Sequence, residues 1–450
     1  MKKIVKRAIV LFIVTLTLVG MVACGQAPIA NVGNVNADYK ANISGEITWT
    51  FSVGNAFEKR AANSFIKAFQ SAYPNATVKL DASSSSAVRV NGGTIGDVFY
   101  FSETQIYEYA VTCNGLMPLE GYVAALDMDL SDVYMGIYEL GKIDGRLYYV
   151  SRDYNAICFT YNKDKLAEHG LDSLVKNEWA WSDLLHISKT ITEATSEDNE
   201  RFYGANIDLT YSPVYVTFFE SAVGGTWCNT EEKKITFIDE DGRTLQAMQE
   251  CIDAALAGYI NPGSSSQTKG SPVFKYCVHP QVLAQGNDYD TAGVNWDIVA
   301  FPGFGENGEN RGFGCGSSGF GVYNRTRNQD TAAAFALYFY TEDGQRAYNG
   351  QPGASVPVIG SLKEDSSWRY PDKAAVGWDK KNWDAFVFEA QTASIVGQVV
   401  CRMPYEIANK INTEMKNIIP QVMQGRVSLE NAFTDLQTTC NDLWETLLDY

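Results

Sequence analysis

Histidine and positively charged residues are scarce in this chain of 450 residues. It has three histidines, His169, His186 and His279, and none of them lies near a pair of cysteines. A zinc site of the usual histidine and cysteine type is therefore not expected. Lysine and arginine number 36 against 53 aspartates and glutamates, so the formal net charge is −17. A chain this acidic repels phosphate backbones and anionic lipids, which argues against nucleic-acid binding.

The sequence also lacks the common enzyme signatures G-x-S-x-G, H-E-x-x-H and the Walker motif. The segment 314–319 (GCGSSG) does match G-x-G-x-x-G, but the strand-like segment 320–323 follows it, where a dinucleotide site requires a helix. A glycosidase needs two carboxylates at a defined separation, which a sequence does not reveal. We therefore predict a binding protein, not an enzyme, that needs no cofactor.

The sequence also lacks closely spaced cysteines. The chain has nine cysteines, but none of them occurs in a C-x-x-C motif. Several lie within apolar patterns, as Cys158 and Cys251 do, where a thiol acts as a small buried hydrophobic group. We expect mostly free, buried thiols, and one or two disulfides remain open. Besides Cys24, the cysteines stand at positions 113, 158, 228, 251, 277, 315, 401 and 440.

The N-terminus carries the one long apolar run, residues 8–22, after four basic residues. It is long enough for a secretion channel but short for a membrane span. Small residues around Cys24 resemble the lipobox of bacterial lipoproteins, which implies cleavage after residue 23 and lipidation of Cys24. The alternative is an ordinary signal peptide cut after Ala23. Loss of residues 1–23 removes four positive charges and no acidic residue, so the formal net charge changes from −17 to −21. Residues 24–44 are predicted to be a flexible tether.

Strand-like and helix-like patterns alternate through the rest of the chain. Residues 46–52 alternate as a strand does, and Asn55 then has the pattern of a helix N-cap with Glu58 three residues later. Further predicted strands are 76–80, 96–101, 147–150, 156–161 and 296–301, and predicted helices include 104–113, 182–190 and one that Ser428 caps. This alternation implies an α/β fold with ligand sites at the carboxyl ends of strands. The remaining segment of about 400 residues is too long to fold around a single hydrophobic core, which indicates two lobes.

A series of short motifs resembles the family 1 extracellular solute-binding proteins of ABC importers, over some 350 residues and in the family's order. The residues that carry the resemblance are Gly96-Asp-Val-Phe, then 113–120 (CNGLMPLE), 158–166 (CFTYNKDKL), 169–171 (HGL), 181–185 (WSDLL), 319–323 (GFGVY), 332–339 (AAAFALYF) and 353–357 (GASVP). Asn162, Lys163 and Asp164 match the family well, but they begin a predicted helix and are expected to have a structural role.

The resemblance implies a two-lobed fold of the type II periplasmic-binding-protein kind, with the ligand cleft between the lobes. The N-lobe is expected at 45–150 and 304–352, and the C-lobe at 151–303 and 353–450. The protein would be a monomer, held by lipid at the extracellular face of the cell membrane, that passes a solute to an ABC permease. The expected solute is a mono- or oligosaccharide, and a polyamine, a peptide or ferric iron are the alternatives.

Sugar pockets combine flat aromatic rings with side chains that hydrogen-bond hydroxyl groups. The segments after the predicted strands have that mixture, including an aromatic group near 211–215. Trp227 and Trp296 are predicted to stack on the solute, although aromatic residues make up 12% of the chain and any single one can belong to the core. The full set of predicted ligand-binding residues is Asn55, Ser102, Glu103, Arg152, Tyr154, Trp227, Trp296 and Arg311.

Overall fold

The computed structural model describes residues 39–54, 56–223, 227–263, 269–311, 313–351, 355–370, 376–390, 395–396 and 399–448. Cys24, most of the predicted tether and Asn55 lie outside these ranges, so the expectations for them remain predictions. Among the helices within these ranges, none has the length and apolar character that a membrane crossing requires.

The first sheet has five described strands and is mostly built from the first third of the chain. Gly45–Thr50 runs parallel to both of its neighbours, and Ser318–Val322 returns antiparallel, with Ser318 opposite Ser102. The carboxyl ends of the parallel strands therefore meet at one edge. In spatial order the strands are Ala76–Asp81, Gly45–Thr50, Val98–Ser102, Ser318–Val322 and Val150–Ser151.

The second sheet also has five described strands and comes from the middle of the chain. Ser271–Cys277 is parallel to Phe202–Asn206, so the carboxyl ends of these two strands share an edge. The chain passes from the first sheet to the second between Ser151 and Cys158, and returns between Ala300 and Ser318. In spatial order the strands are Ile260–Asn261, Phe202–Asn206, Ser271–Cys277, Cys158–Asn162 and Trp296–Ala300.

Helices cover both sheets, and smaller strand pairs connect them. The longer helices are Ala56–Ala72, Trp181–Ala194, Ser212–Val223, Gln246–Leu256, His279–Thr291, Gln329–Leu337, Glu342–Asn349, Tyr405–Met423 and Leu429–Leu448. The shorter ones are Tyr39–Asn42, Ala87–Asn91, Glu120–Ala125, Met135–Leu140, Lys163–Glu168 and Ser366–Arg369. The minor sheets are Lys142–Ile143 with Arg146–Leu147, Cys228–Asn229 with Lys234–Ile235, and Phe313–Gly316 between Asn155–Ala156 and Ile395–Val396.

Two large apolar clusters form the cores. One surrounds Trp49, whose ring contacts Phe51, Phe65 and Phe320, and it extends over one face of the second sheet. The other fills the opposite face of the second sheet, around Phe159. The result is an α/β fold with two lobes, as the sequence predicts, because amphipathic helices bury their apolar faces against each sheet.

Three local predictions differ from the structure. The predicted strand 147–150 is divided between two short strands of different sheets, Arg146–Leu147 and Val150–Ser151. The predicted helix 104–113 is a 3₁₀ turn, Glu103–Gln105, followed by the π-helix Glu108–Thr112. The predicted tether 24–44 ends earlier than expected, because Tyr39 and Ile43 are buried. Tyr39 donates a hydrogen bond to the backbone oxygen of Asp330 at 2.7 Å, so the last residues of the predicted tether are packed against the core of the first sheet.

Candidate functional site

Arg152 lies at the shared edge of the first sheet, directly after the strand Val150–Ser151, and it is 7% exposed. Nη1 donates to the hydroxyl of Tyr348 at 2.6 Å, Nε to Oδ2 of Asp153 at 3.1 Å, and Nη2 to Oε1 of Glu58 at 3.5 Å. The rings of Phe51, Tyr100 and Tyr348 lie 5.2 to 5.4 Å from its Cζ atom. Internal partners thus balance the charge of this guanidinium.

Asp153, the neighbour of Arg152, is 1% exposed and holds two strands together. Its Oδ1 atom accepts from the backbone N–H of Ser318 at 2.9 Å and from the side chain of Asn155 at 3.1 Å. Desolvation raises the pKa of Asp153, and the guanidinium of Arg152 opposes that shift. The Arg152–Asp153 pair therefore fixes the start of the crossing segment against the strand Ser318–Val322.

Glu103 stands at the same edge, just after the strand Val98–Ser102, and is half-buried. Its backbone N–H donates to the carbonyl of Ser317 at 3.4 Å, and the hydroxyls of Ser102 and Thr104 lie 2.9 Å apart beside it. Desolvation raises the pKa of Glu103 to about 8, and the nearby charge of Asp153 acts in the same direction. At neutral pH the carboxyl group is thus mostly protonated and can donate a hydrogen bond as well as accept one.

The facing edge of the second sheet carries an aromatic pair. Tyr211 follows the turn at Asp208, and its ring stacks on Tyr276 with centroids 6.0 Å apart and an interplanar angle of 30°. Tyr211 is 37% exposed and is thus more exposed than Tyr276. Desolvation raises the pKa of Tyr211, and Glu103 adds to the effect when it is ionised, so the two side chains are near enough to interact electrostatically.

Taken together, the two edges offer a neutral carboxyl group, hydroxyl groups and an accessible aromatic face. Such groups suit a neutral polar solute, because hydroxyls can be hydrogen-bonded while an apolar face lies on the ring. No described residues form a group of three or more His, Cys, Asp or Glu side chains placed to hold a metal ion.

The predicted stacking residues lie elsewhere. Trp227 is 0% exposed, and its ring lies parallel to that of Phe237, with centroids 5.6 Å apart, and 5.4 Å from that of Phe219. Trp296 is also 0% exposed; its ring stacks on Tyr289 at 6.0 Å, and its Nε1 donates to Asp290 at 2.9 Å. A fully buried ring offers no face to a solute. We therefore correct the prediction and give both tryptophans a packing role.

The remaining predicted residues also have internal partners. Arg311 donates to the backbone oxygens of Asn177 at 2.8 Å and Trp179 at 3.1 Å, which ties the segment 303–311 to the second lobe. Tyr154 is 1% exposed, and its backbone N–H donates to the carbonyl of Val356 at 2.9 Å. Of the predicted set, the structure brings together Ser102, Glu103 and Arg152 at the edge of the first sheet, whereas Tyr154 is buried and the guanidinium of Arg311 is held by backbone oxygens.

Tyr211 is the functional candidate that the sequence prediction did not select. Tyr211 belongs to the aromatic group near 211–215 that the sequence analysis names. Nothing in the sequence distinguishes the exposed Tyr211 from the buried Tyr215, which is 2% exposed. The signal that could have selected Tyr211 is its position in the short loop between the strand Phe202–Asn206 and the helix Ser212–Val223.

The family model for bacterial extracellular solute-binding proteins matches residues 57–346. The chain belongs to this family. The sequence matches none of the curated proteins with which it was compared.

Solved structures of similar fold cover nearly the whole chain. An ABC substrate-binding protein from Listeria monocytogenes, in complex with cycloalternan, is 18% identical, with a TM-score of 0.65 over 89% of this chain and 99% of that one. The sugar-binding protein MalE of Xanthomonas citri is 15% identical, with a TM-score of 0.71 over 89% and 98%. The cyclic alpha-maltosyl-1,6-maltose binding protein of Arthrobacter globiformis is 18% identical, with a TM-score of 0.66 over 90% and 100%. At this identity they establish the two-lobed solute-binding fold.

Replacing Glu103 with glutamine is expected to remove a pH dependence of stability. The carboxyl group ionises near pH 4.5 in the unfolded chain and at about pH 8 in the folded protein. Its contribution to stability is therefore complete below pH 4.5 and declines as the pH rises to about 8. Denaturant unfolding across this range should show the free energy of unfolding falling more steeply in the wild type than in Glu103→Gln.

The matched control for this experiment is glutamine at the exposed Glu197, which should leave the wild-type pH profile unchanged. Parallel profiles for the wild type and Glu103→Gln would contradict the protonated state assigned to Glu103.

Proposed function

We propose that this protein is a solute-binding lipoprotein of an ABC importer, which captures a mono- or oligosaccharide between its lobes and delivers it to the permease. The observation that carries the proposal is the placement of Glu103 at the carboxyl edge of the first sheet and of the exposed Tyr211 ring after a strand of the second sheet. Relatives of the same fold were solved with cycloalternan or are described as binding cyclic alpha-maltosyl-1,6-maltose, which supports a carbohydrate ligand.

The charges at the two edges favour a neutral solute. The guanidinium of Arg152 at the first edge is engaged by Tyr348, Asp153 and Glu58, so it is poorly placed to attract an anionic ligand. A second guanidinium at this edge, that of Arg89, pairs with Asp81 at 2.9 Å. The protonated carboxyl of Glu103 at neutral pH also gives less attraction for a polyamine than an ionised group would. A neutral, hydroxyl-rich ligand matches these groups better than an anion or a polycation.

Closure of the lobes over the solute would exclude water from the edge groups. We assign residues 45–150 and 304–352 to the N-lobe and 151–303 and 353–450 to the C-lobe, with the crossing segments as hinge. Because Glu103 belongs to the first and Tyr211 to the second, a bound solute would contact both lobes. The purified protein would be a monomer under this proposal.

A thermal-shift screen tests the ligand class, because a ligand that binds the folded state raises the melting temperature. The panel contains linear and cyclic oligosaccharides, monosaccharides, spermidine, short peptides and ferric citrate. We expect a saturable increase with at least one carbohydrate. An increase with spermidine, peptide or ferric iron and none with any sugar would replace the carbohydrate assignment with that class.

Tyr211→Ala is expected to weaken binding of the identified sugar by roughly 10- to 100-fold, because one stacked aromatic face is lost. Tyr211→Phe keeps the ring and serves as the matched control, with most of the affinity retained. Isothermal titration calorimetry gives the dissociation constants, and the melting temperature without ligand checks the fold. Equal affinities for Tyr211→Ala and the wild type would exclude Tyr211 from the site.

Cys24→Ala is expected to release the protein into the medium or to leave an unprocessed precursor, since the alanine variant has no thiol to acylate. A diacylglyceryl group on Cys24 is the minimum anchor, because a single acyl chain binds membranes weakly. Cell fractionation with immunoblotting makes the comparison. A processed alanine variant that still fractionates with the membrane would contradict the lipid anchor.

A further inference from the structure

Cys158 and Cys277 lie directly opposite each other in the second sheet. They are register partners at one end of the antiparallel pair formed by Cys158–Asn162 and Ser271–Cys277. Both side chains are 0% exposed and belong to the same apolar cluster, so they lie on the same face of the sheet. The seven cysteines whose side chains the structure describes, these two among them, are free thiols.

This position suits a disulfide. Opposite residues of an antiparallel pair have Cα atoms about 4.5–5.5 Å apart, and disulfides span Cα distances of about 4.4–6.8 Å. Burial raises the pKa of the Cys158 thiol well above its ordinary value, and the nearby Cys277 adds to the shift, in agreement with two adjacent sulfur atoms. Cys158 also donates a weak hydrogen bond to the carbonyl of Ala385 at 3.3 Å, which closes the pair off from solvent.

We propose that Cys158 and Cys277 form a cross-strand disulfide when the chain folds outside the cytoplasm, with a disulfide-bearing oxidoreductase or a small-molecule disulfide as the oxidant. The proposal rests on the extracellular location given under the proposed function. Fully buried thiols exchange slowly, so the bond would form while the second sheet assembles and before the core covers it.

The exchange is balanced in two steps. The thiolate of one cysteine attacks a sulfur of the oxidant disulfide, and the other sulfur leaves as a thiolate that takes up a proton. The thiolate of the second cysteine then attacks the mixed disulfide and releases the remaining oxidant thiol. Each cysteine loses one proton and one electron, and the oxidant gains two of each.

The bond would stabilise the strands that support the candidate site. Cys277 follows Tyr276, whose ring supports Tyr211, and Cys158 begins the first strand after the crossing segment. A covalent link between these two strands therefore joins the aromatic pair to the base of the hinge. It would close a loop of over 100 residues, which strongly restricts the unfolded chain.

A second pair of thiols provides a comparison within the same chain. Cys228 and Cys440 are buried, and Cys440 contributes to the raised pKa of Cys228, so the two are also near each other. They are not strand partners, because Cys440 lies in the helix Leu429–Leu448. Of the two pairs, it is the strand pair whose register sets a Cα separation within the range that a disulfide spans.

The test uses the full mature chain, refolded in a glutathione redox buffer with excess oxidised glutathione. The oxidised protein is then denatured without reductant, so that buried free thiols can be alkylated, and non-reducing proteolysis with mass spectrometry maps the links. We expect a peptide linked through Cys158 and Cys277, and a melting temperature that falls by several degrees on reduction. The Cys158→Ala/Cys277→Ala variant should melt at the same temperature with and without reductant, whereas Cys228→Ala/Cys440→Ala should keep the sensitivity of the wild type.

Alkylation of both Cys158 and Cys277 when the oxidised protein is denatured without reductant would overturn the proposal, and so would a link between Cys228 and Cys440 alone. The thiol map does not depend on any ligand. If the disulfide is absent and sugar still binds, the proposed function stands and the disulfide proposal fails. If the disulfide is present and no sugar binds, the disulfide proposal stands and the carbohydrate assignment fails.

Discussion

Replacing Trp227 with alanine is expected to lower the free energy of unfolding by roughly 3–5 kcal/mol, the usual cost of removing a large buried ring. The indole is 0% exposed and lies against Phe219 and Phe237. Its Nε1 also donates to the carboxylate of Glu220 at 3.4 Å. The loss should appear as a lower denaturant midpoint in the protein without ligand.

Met135→Ala serves as the control, because this side chain is 61% exposed and its truncation should change stability by less than about 0.5 kcal/mol. Trp227→Phe should lose less stability than Trp227→Ala, since part of the ring is kept. The surviving folded fraction of Trp227→Ala should bind sugar with the affinity of the wild type. Unchanged stability combined with a large loss of affinity would instead return Trp227 to the ligand site.

The sequence predicted the strands of the first sheet closely. Residues 46–52 were expected as a strand and form Gly45–Thr50, and residues 76–80 form part of Ala76–Asp81. Alternation of apolar residues has a period of two, which few other structures produce. The segment 104–113 was harder to assign, because a 3₁₀ turn and a π-helix of one turn each are too short for their periods to be told from that of an α-helix.

The candidate site was predictable only in part. Charged residues at strand ends seldom serve the core, and this argument selected Glu103 and Arg152, which do lie at one edge. The partner of Arg152 was not predictable, since Tyr348 is 196 residues away along the chain. No local pattern around Trp227 or Trp296 distinguishes a buried ring from an exposed one. The partner of Arg152 and the burial of the tryptophans both depend on contacts between distant segments, about which a local sequence pattern carries no information.

The end of the tether illustrates the same limit. Residues 24–44 have little hydrophobic periodicity, so a tether was a reasonable expectation. Tyr39 is nevertheless buried beside Tyr122, with ring centroids 5.0 Å apart, because a single aromatic side chain is enough to fasten a polar segment to a core. Hydrophobic patterning averages over many residues and does not register such an isolated contact.

Arg152→Met is expected to destabilise the protein by roughly 3–5 kcal/mol, because removal of one partner leaves a buried charge uncompensated. Asp153 is 1% exposed and would lose the guanidinium that lies 3.1 Å away. The same change removes the hydrogen bond to Tyr348. Denaturant unfolding at neutral pH gives the free energy, and the Arg152→Met/Asp153→Asn double variant should recover part of the loss because no unpaired carboxylate remains.

Arg346→Met is the matched control for this comparison. Arg346 also pairs with two carboxylates, those of Glu342 and Asp365, but its side chain is 49% exposed. Solvent screens such exposed pairs, so its removal should cost less than about 1 kcal/mol. If Arg152→Met and Arg346→Met lowered stability equally, the buried cluster at the edge of the first sheet would not be what holds the crossing segment in place. A larger loss for Arg152→Met, recovered in part by the double variant, would identify the buried charge as the cause.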